Sequence, residues 1–373
     1  MKKVLLLLLL LLMMLIPNMA KAASSSDNQE IVQNQISQYQ GTLDNLGIGQ
    51  TVSDISSGKF SLNPMDIAKG FWDMLVGQLQ SNIWLIIQLI ILGILVAVLN
   101  ALQTAFGKKG VSEIAFFACY AIIAAVGVKV FIGTSGDAQG FIRTSGAFIN
   151  TIIPLLLILL ATSGGIISST FLSPAILIST ELITYLITNI FLPLTFTVIA
   201  LSIANNLSER LNISGLINII KNIIKWGLGL ALTIFVGLTS VYALFTPTLD
   251  ARTIALGEYS VKTFIPVVGS ILSDTVGLVS ACSSVVKSSV GVAGLIGFAL
   301  IAIVPIVKML AQIGALKLAG SILEPIVDNR ITRCLSEIGG GMTLVMIMMI
   351  VISVMFFVNV AIIIKIGGNS GFY

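Results

Sequence analysis

Two carboxylates lie inside apolar stretches of this sequence, and they are the side chains best placed for chemistry within a membrane. Glu181 follows Ser179 and Thr180 in one stretch, and Asp274 follows Ser273 in another. A carboxylate at membrane depth is costly and indicates a role in transport or assembly. Each has a structural alternative, since Glu181 could lie near the interface and Asp274 could cap a helix. Both alternatives stay open.

The side chains that most enzymes and metal sites use are missing. The sequence has no histidine, which excludes His-based metal sites, Ser–His triads and His proton relays. Cys119, Cys282 and Cys334 stand alone in or beside apolar segments, without the spacing of metal ligands. We therefore expect no catalytic residues, no metal and no cofactor.

The composition is that of a membrane protein. The 373 residues are 56% hydrophobic and only 10% charged, whereas soluble domains have about 25% charged residues. The formal net charge of +4 fits lipid headgroups better than nucleic acid. We expect an all-α fold, a polytopic helical membrane protein with about 6–8 hydrophobic spans.

The first 22 residues have the pattern of a signal peptide. Lys2 and Lys3 precede an apolar run, and small residues follow at Ala20 and Ala22. We expect cleavage after Ala22, which places the new N-terminus outside the cytoplasm.

Three further regions follow the signal peptide. Residues 23–82 form an extracytoplasmic polar region, in which Pro64 opens an amphipathic helix that lies in the interface or packs on the membrane domain. Residues 83–365 form the polytopic membrane domain, and residues 366–373 form a polar tail.

An internal repeat of 112 residues organises the membrane domain. Residues 151–170 align with residues 263–282, and the halves are approximately 134–245 and 246–358. The shift also pairs prolines and glycines: Pro154 with Pro266, Pro193 with Pro305, Gly227 with Gly339, and Gly229 with Gly341. The four prolines are candidate hinges.

Residues 83–106 and 114–134 are predicted spans that precede the repeat, and a polar Gly/Ser-rich loop with Asp137 and Arg143 is expected after them. The repeat itself permits two topologies. If its opening stretches cross the membrane, the halves are inverted; if they are re-entrant, the halves are parallel. The positive-inside rule separates the two by a single cation. We favour re-entrant or broken helices, because the Gly164-Gly165 region is a poor lipid-facing sequence.

Each half contains an amphipathic polar segment, at residues 206–225 and 318–338. The second carries a charged cluster that indicates either a solvated helix face or a docking site for a cytoplasmic partner. Its members are Glu324, Arg330, Arg333 and Glu337.

Two motifs in the second half resemble those of the stage III sporulation protein AE family. The first reads FIPVVG at 264–269, followed by LSD at 272–274. The second reads LEP at 323–325 and continues through Asp328, Arg330, Ile331, Arg333, Cys334 and Leu335. The order of a signal peptide, a polar region and a polytopic domain also matches.

The resemblance implies a membrane component of the multi-protein channel apparatus that joins the mother cell to the forespore, located in the mother-cell membrane around the forespore. Its implied partners are a secretion-type ATPase, other small membrane proteins and ring-forming proteins, besides the lipid bilayer, with no nucleic acid. Two other classes compete. A secondary transporter would suit the repeat and Glu181, whereas an intramembrane enzyme lacks any catalytic set in the sequence.

Overall fold

The computed structural model describes residues 64–106, 109–207, 213–264 and 269–368. The predicted signal peptide and most of the polar region lie outside these residues, as do Pro266 and the side chain of Asp274. The described residues are helical apart from short turns, which confirms the predicted all-α class. The helices are α1 (Pro64–Ser81), α2 (Ile83–Phe106), α3 (Lys109–Thr162), α4 (Ile166–Leu186), α5 (Leu192–Leu207), α6 (Ser214–Phe264), α7 (Gly269–Leu323) and α8 (Asn329–Gly368), with a π-helical turn at Ile187–Phe191.

Five helical stretches of the described chain are long and apolar enough to cross a membrane, or six if the bent α1–α2 pair counts as one span. The pair is bent by 43°. This count lies at the lower limit of the expected range. The five stretches are Phe116–Thr162, Ile166–Leu207, Ser214–Phe245, Val290–Leu323 and Asn329–Ile366. The start of α1 at Pro64 and both limits of α2 agree with the sequence prediction.

The centre of the bundle is formed by α3, α7 and α8, which make the most extensive contacts with one another. Phe298 of α7 stacks on Phe356 of α8, with ring centroids 4.1 Å apart. Phe141 and Phe148 of α3 approach the same Phe298 ring at 6.4 and 5.9 Å. Aromatic pairs at these distances add to the stabilisation from burial, so this cluster fixes the relative height of the three helices.

The remaining helices surround this centre. α6 packs against α4 and α5, while α1 and α2 pack along α7. Several helices approach closely where glycine faces a larger side chain, as Gly341 faces Ile199 and Gly93 faces Leu323. Small residues of this kind let membrane helices pack tightly.

The expected loop with Asp137 and Arg143 is wrong, because both residues lie inside the continuous helix α3. Glycines lower intrinsic helix propensity by roughly 1 kcal/mol each. Here tertiary packing overrides that cost, since Ala138, Phe141 and Ile142 of the same stretch are buried. Thr134 also donates its hydroxyl to the Val130 carbonyl, which satisfies it within the helix.

The chain does break within residues 151–170, at the turn formed by Ser163, Gly164 and Gly165. Gly164 has a φ of 96°, a left-handed conformation that favours glycine. The break is not duplicated, because the aligned residues 275–277 lie within continuous α7.

The prolines differ in their surroundings. Pro154 and Pro305 lie inside continuous α3 and α7. The π-helical turn Ile187–Phe191 directly precedes the first turn of α5, which contains Pro193. A π-helical turn is a common way to accommodate such a local irregularity. Whether any of them acts as a hinge stays a prediction.

The C-terminal ends of α5 and α7 lie at the same end of the bundle, which we call the junction end. There, Tyr120 of α3 donates its hydroxyl to the Ile203 carbonyl of α5 at 2.9 Å, and Lys221 of α6 pairs with Glu337 of α8. The turn at Ser163–Gly165 lies at the opposite end, which we call the break end. Both helical hairpins of the repeat therefore run in the same direction, as the parallel topology requires.

A matched glycine pair tests this packing. A Cβ at Gly227 of α6 would lie 2.7 Å from the Phe191 ring, whereas one at Gly229 would meet nothing within 4 Å. We expect Gly227→Ala to lower the thermal midpoint of the detergent-solubilised protein, because a ring edge cannot yield easily. Gly229→Ala should leave it unchanged or raise it. Equal effects of the two substitutions would contradict the packing of α6 against the π-helical turn.

Candidate functional site

A polar junction joins three helices at the junction end. Glu337 of α8 pairs with Lys221 of α6, and Ser202 of α5 donates its hydroxyl to the same carboxylate oxygen at 3.3 Å. The side chain of Lys221 is 16% exposed and that of Glu337 is 36% exposed. Partly buried pairs are screened less than surface pairs, so this contact holds the ends of the two hairpins together.

A small, open cleft lies beside this ion pair. Its lining is mostly amide, hydroxyl and carboxylate groups, from Ser202, Asn205, Asn206, Ser214, Ile217, Asn218 and Glu337. Asn205 also accepts a hydrogen bond from the backbone N–H of Ile213, at 2.9 Å, immediately before α6 begins. The cleft is therefore built by the residues that shape the α5–α6 connection.

The predicted docking residues do not form one free face. Glu337 belongs to the junction, and Arg330 lies over the Phe116 ring at 4.9 Å and within 3.7 Å of Asp328. Glu324 and Arg333 are exposed. Residues 318–338 are also not one amphipathic segment, because residues 324–328 form a turn between α7 and α8. Of the four predicted docking residues, Glu324 and Arg333 therefore remain accessible to a partner.

At the break end, a buried aspartate caps α4. Asp250 of α6 is 3% exposed and accepts the backbone N–H of Ile167 at 2.8 Å and that of Ser168 at 3.2 Å. The Ser168 hydroxyl donates to the same carboxylate. A carboxylate near a helix N-terminus satisfies otherwise unpaired donors and complements the helix dipole. The cap role predicted for Asp274 concerned its own copy of the repeat, and it stays a prediction because that side chain lies outside the described residues.

Glu181 is half-buried on α4, within the span Ile166–Leu207. Beside it, the buried Thr180 accepts a hydrogen bond of 3.4 Å from the side-chain amide of Asn359 on α8. The carbonyl oxygen of Asn359 is buried without a partner. Glu181 has no ion partner among the described side chains, and its predicted role stays a prediction.

A second polar group lies between α3 and α7. Asp137 and Lys308 form an ion pair of 2.7 Å, and both side chains are a little over 40% exposed. One turn further along α7, the side-chain amide of Gln312 lies 2.8 Å from the Thr134 hydroxyl oxygen. Lys308 lies midway along the apolar stretch Val290–Leu323. Charged residues at such depth usually face protein or water rather than lipid.

Lys287 is fully buried on α7, three residues before Val290, and its ammonium group has no hydrogen-bond partner among the described residues. Burial lowers its pKa from 10.5 to about 8. An unpaired buried cation is destabilising unless it serves a purpose.

Sequence reasoning missed Asp250, Lys287 and Asn359 as candidates. Asp250 ends an apolar run and Asn359 interrupts another, so the signal that selected Glu181 also applied to them. No contact among the described residues joins Glu181 to Asp274, the two predicted carboxylates.

Comparison with known proteins identifies close relatives. Residues 46–367 match the family of stage III sporulation protein AE. The chain is 32% identical to "Stage III sporulation protein AE" of Bacillus subtilis (strain 168) over 332 residues, which is 89% of this chain and 83% of that protein. No solved structure matches.

Substitution of Asp250 tests the cap. We expect Asp250→Leu to destabilise the solubilised protein by roughly 2 kcal/mol, because it leaves two buried N–H groups unsatisfied. Asp250→Asn should cost less, since its carbonyl can still accept one of them. Asp73→Asn, on exposed α1, is the control. Thermal unfolding measures all three, and an Asp250→Leu protein as stable as the control would exclude the cap.

Substitution of Lys287 tests its burial. The folded protein releases this proton near pH 8, whereas the unfolded chain keeps it to about 10.5. Stability should therefore rise with pH between these values, because the unfolded state binds more protons there. We expect Lys287→Met to raise the thermal midpoint at pH 7 by at least about 2 °C and to remove this pH dependence. A lower midpoint would show that the cation has a partner.

Proposed function

We propose a function from one premise: the chain belongs to the stage III sporulation protein AE family and is a membrane protein with a role in sporulation. The proposal is that it is a membrane-embedded subunit of the multi-protein channel apparatus that links mother cell and forespore. It resides in the mother-cell membrane around the forespore and is required for late forespore development. We assign it no catalytic role, no cofactor and no nucleic-acid ligand.

The half-exposed ion pair of Asp137 and Lys308 carries this proposal. It lies at the depth of the apolar spans, on a surface that hydrocarbon would penalise. A subunit that packs this surface against other subunits, or lines a wet channel with it, removes that penalty. An isolated bundle in lipid would not.

The distribution of cations supports an orientation. Lys221, Lys225, Lys317, Arg330 and Arg333 all lie towards the junction end. Cytoplasmic segments of membrane proteins are enriched in Lys and Arg, so this end faces the mother-cell cytoplasm. The exposed Glu324 and Arg333 are then available to the proposed secretion-type ATPase. Small membrane proteins contact the spans, and ring-forming proteins lie beyond the break end.

A second candidate is a secondary transporter for a small solute. Glu181 and the unpaired carbonyl oxygen of Asn359 favour it, because polar groups between the halves of a repeat protein often bind substrate. Solute flux by the purified protein alone in liposomes, lost in Glu181→Gln, would establish this candidate.

Removal of the ion pair tests the subunit proposal. We expect the double variant Asp137→Leu and Lys308→Leu to remain in the membrane, since leucine suits helices and lipid. Co-isolation of partner proteins from cells at engulfment should fall about tenfold, as should spore yield. Leu230→Ala, on the exposed face of α6, is the control and should change neither. Normal co-isolation and spore yield in the double variant would contradict the proposal.

A further inference from the structure

One face of α3, near the middle of the apolar stretch Phe116–Thr162, is exposed and consists of glycines and charged residues. We call it the α3 polar face and define it by Gly133, Gly136, Asp137, Gly140 and Arg143. Gly133, Gly136, Asp137 and Arg143 are exposed, and Gly140 is half-exposed. A Cβ added at Gly133 or Gly136 would meet nothing within 4 Å. The face therefore leaves room beside the helix at these two glycines.

The position of this face along the apolar stretches follows from its contacts. Asp137 pairs with Lys308, which lies midway along Val290–Leu323. Arg143 follows Asp137 by six residues, about 9 Å along the helix, and lies between Phe141 and Phe148, whose rings both approach Phe298 of the same stretch. The exposed side chain of Arg143 therefore belongs to the apolar stretch Phe116–Thr162.

The face carries one uncompensated cation. Asp137 is neutralised by Lys308 within the same chain, whereas Arg143 has no ion partner in the part of the chain that the structure describes. Arginine cannot lose its charge in a protein. An unpaired charge within an apolar span is costly and is usually paired, so the face is suited to an anionic group from outside the chain.

The small residues indicate what can bring that group. Gly136 and Gly140 are four residues apart and lie about two turns and one turn before Arg143, and such glycine pairs let a second helix approach closely. A second copy fits poorly, because copies share one orientation in the membrane and a two-fold contact would place Arg143 opposite its equivalent. Like charges at an interface oppose binding.

We propose that the α3 polar face binds a membrane-spanning helix of a different protein, which has small residues where it crosses the glycines and a carboxylate that pairs with Arg143. This deepens the proposed function and rests on it. The carboxylate neutralises the guanidinium through a bidentate contact, and the glycines set the distance between the helices.

Photo-crosslinking in sporulating cells tests the proposal. The probe is benzoylphenylalanine at Ile132, which is 55% exposed and one turn before Gly136. The control probe is at Leu230 on α6, which is also exposed. We expect the Ile132 probe to give an adduct whose partner peptide is a membrane-spanning segment with an aspartate or glutamate. The Leu230 probe should not give this adduct.

Variants of the face then assign the contact. Arg143→Glu and Gly136→Leu should each reduce the Ile132 adduct about tenfold at an unchanged level of membrane-inserted chain, whereas Arg143→Lys should largely keep it. Replacing the partner carboxylate by arginine should restore the adduct in Arg143→Glu. If Arg143→Glu lowers the protein level, the proposal is tested by Gly136→Leu and by the charge exchange, in which Arg143→Glu is combined with the arginine-substituted partner. No adduct, an adduct with a second copy, a segment without a carboxylate or failure of the charge exchange would each overturn the proposal.

The outcomes also separate this proposal from the proposed function. Partner co-isolation that persists without an Ile132 adduct would retain the function and remove the α3 polar face from it. If the Ile132 probe captures an acidic helix but the chain co-isolates no channel proteins, the binding face would be retained and the proposed function would be wrong.

Discussion

The structure depends on one constraint: polar groups within a bilayer must be satisfied by the protein itself. The described chain meets it with long helices whose hydroxyl side chains return their hydrogen bonds to the same helix. Thr195, Thr239 and Ser353 each donate to the carbonyl four residues earlier. Where the helix breaks at Ser163–Gly165, the Asp250 carboxylate supplies the acceptors that the following helix lacks.

The described residues depart from this constraint in two ways. Some buried groups have no partner among them, on Ser135, Thr144, Ser145, Lys287 and Asn359, and some charges are exposed within the spans, which bear on function. Asp137 and Lys308 satisfy each other yet remain half-exposed at mid-span, and Arg143 is exposed on the same helix. Isolated charges of this kind persist in membrane proteins when something outside the chain compensates them. A subunit of a larger assembly supplies that compensation, which is why the geometry favours assembly over solitary action.

Local patterns in the sequence were enough to predict the all-α membrane class, the start of α1 at Pro64 and both limits of α2. Motifs identified the family. Glycine propensity, however, wrongly predicted a loop around Asp137, because burial of Phe141 and Ile142 outweighs it. Contacts across long separations were beyond reach: Asp250 meets Ser168 at a separation of 82 residues, and Glu337 meets Lys221 at 116. The spacing of hydrophobic residues within one helix does not predict which residue of a distant helix will be its partner.

Both halves of the repeat run in the same direction, and we propose that the junction end lies in the cytoplasm. Single cysteines at Asn206, Ser321 and Thr162, in a chain without its native cysteines, test this orientation in intact protoplasts of non-sporulating cells that express the chain, where the reagent reaches the outer side of the membrane. A membrane-impermeant thiol reagent should label the exposed Thr162→Cys and leave Asn206→Cys and Ser321→Cys protected until the membrane is opened. Labelling of Asn206→Cys with protection of Ser321→Cys would contradict the account and establish inverted halves.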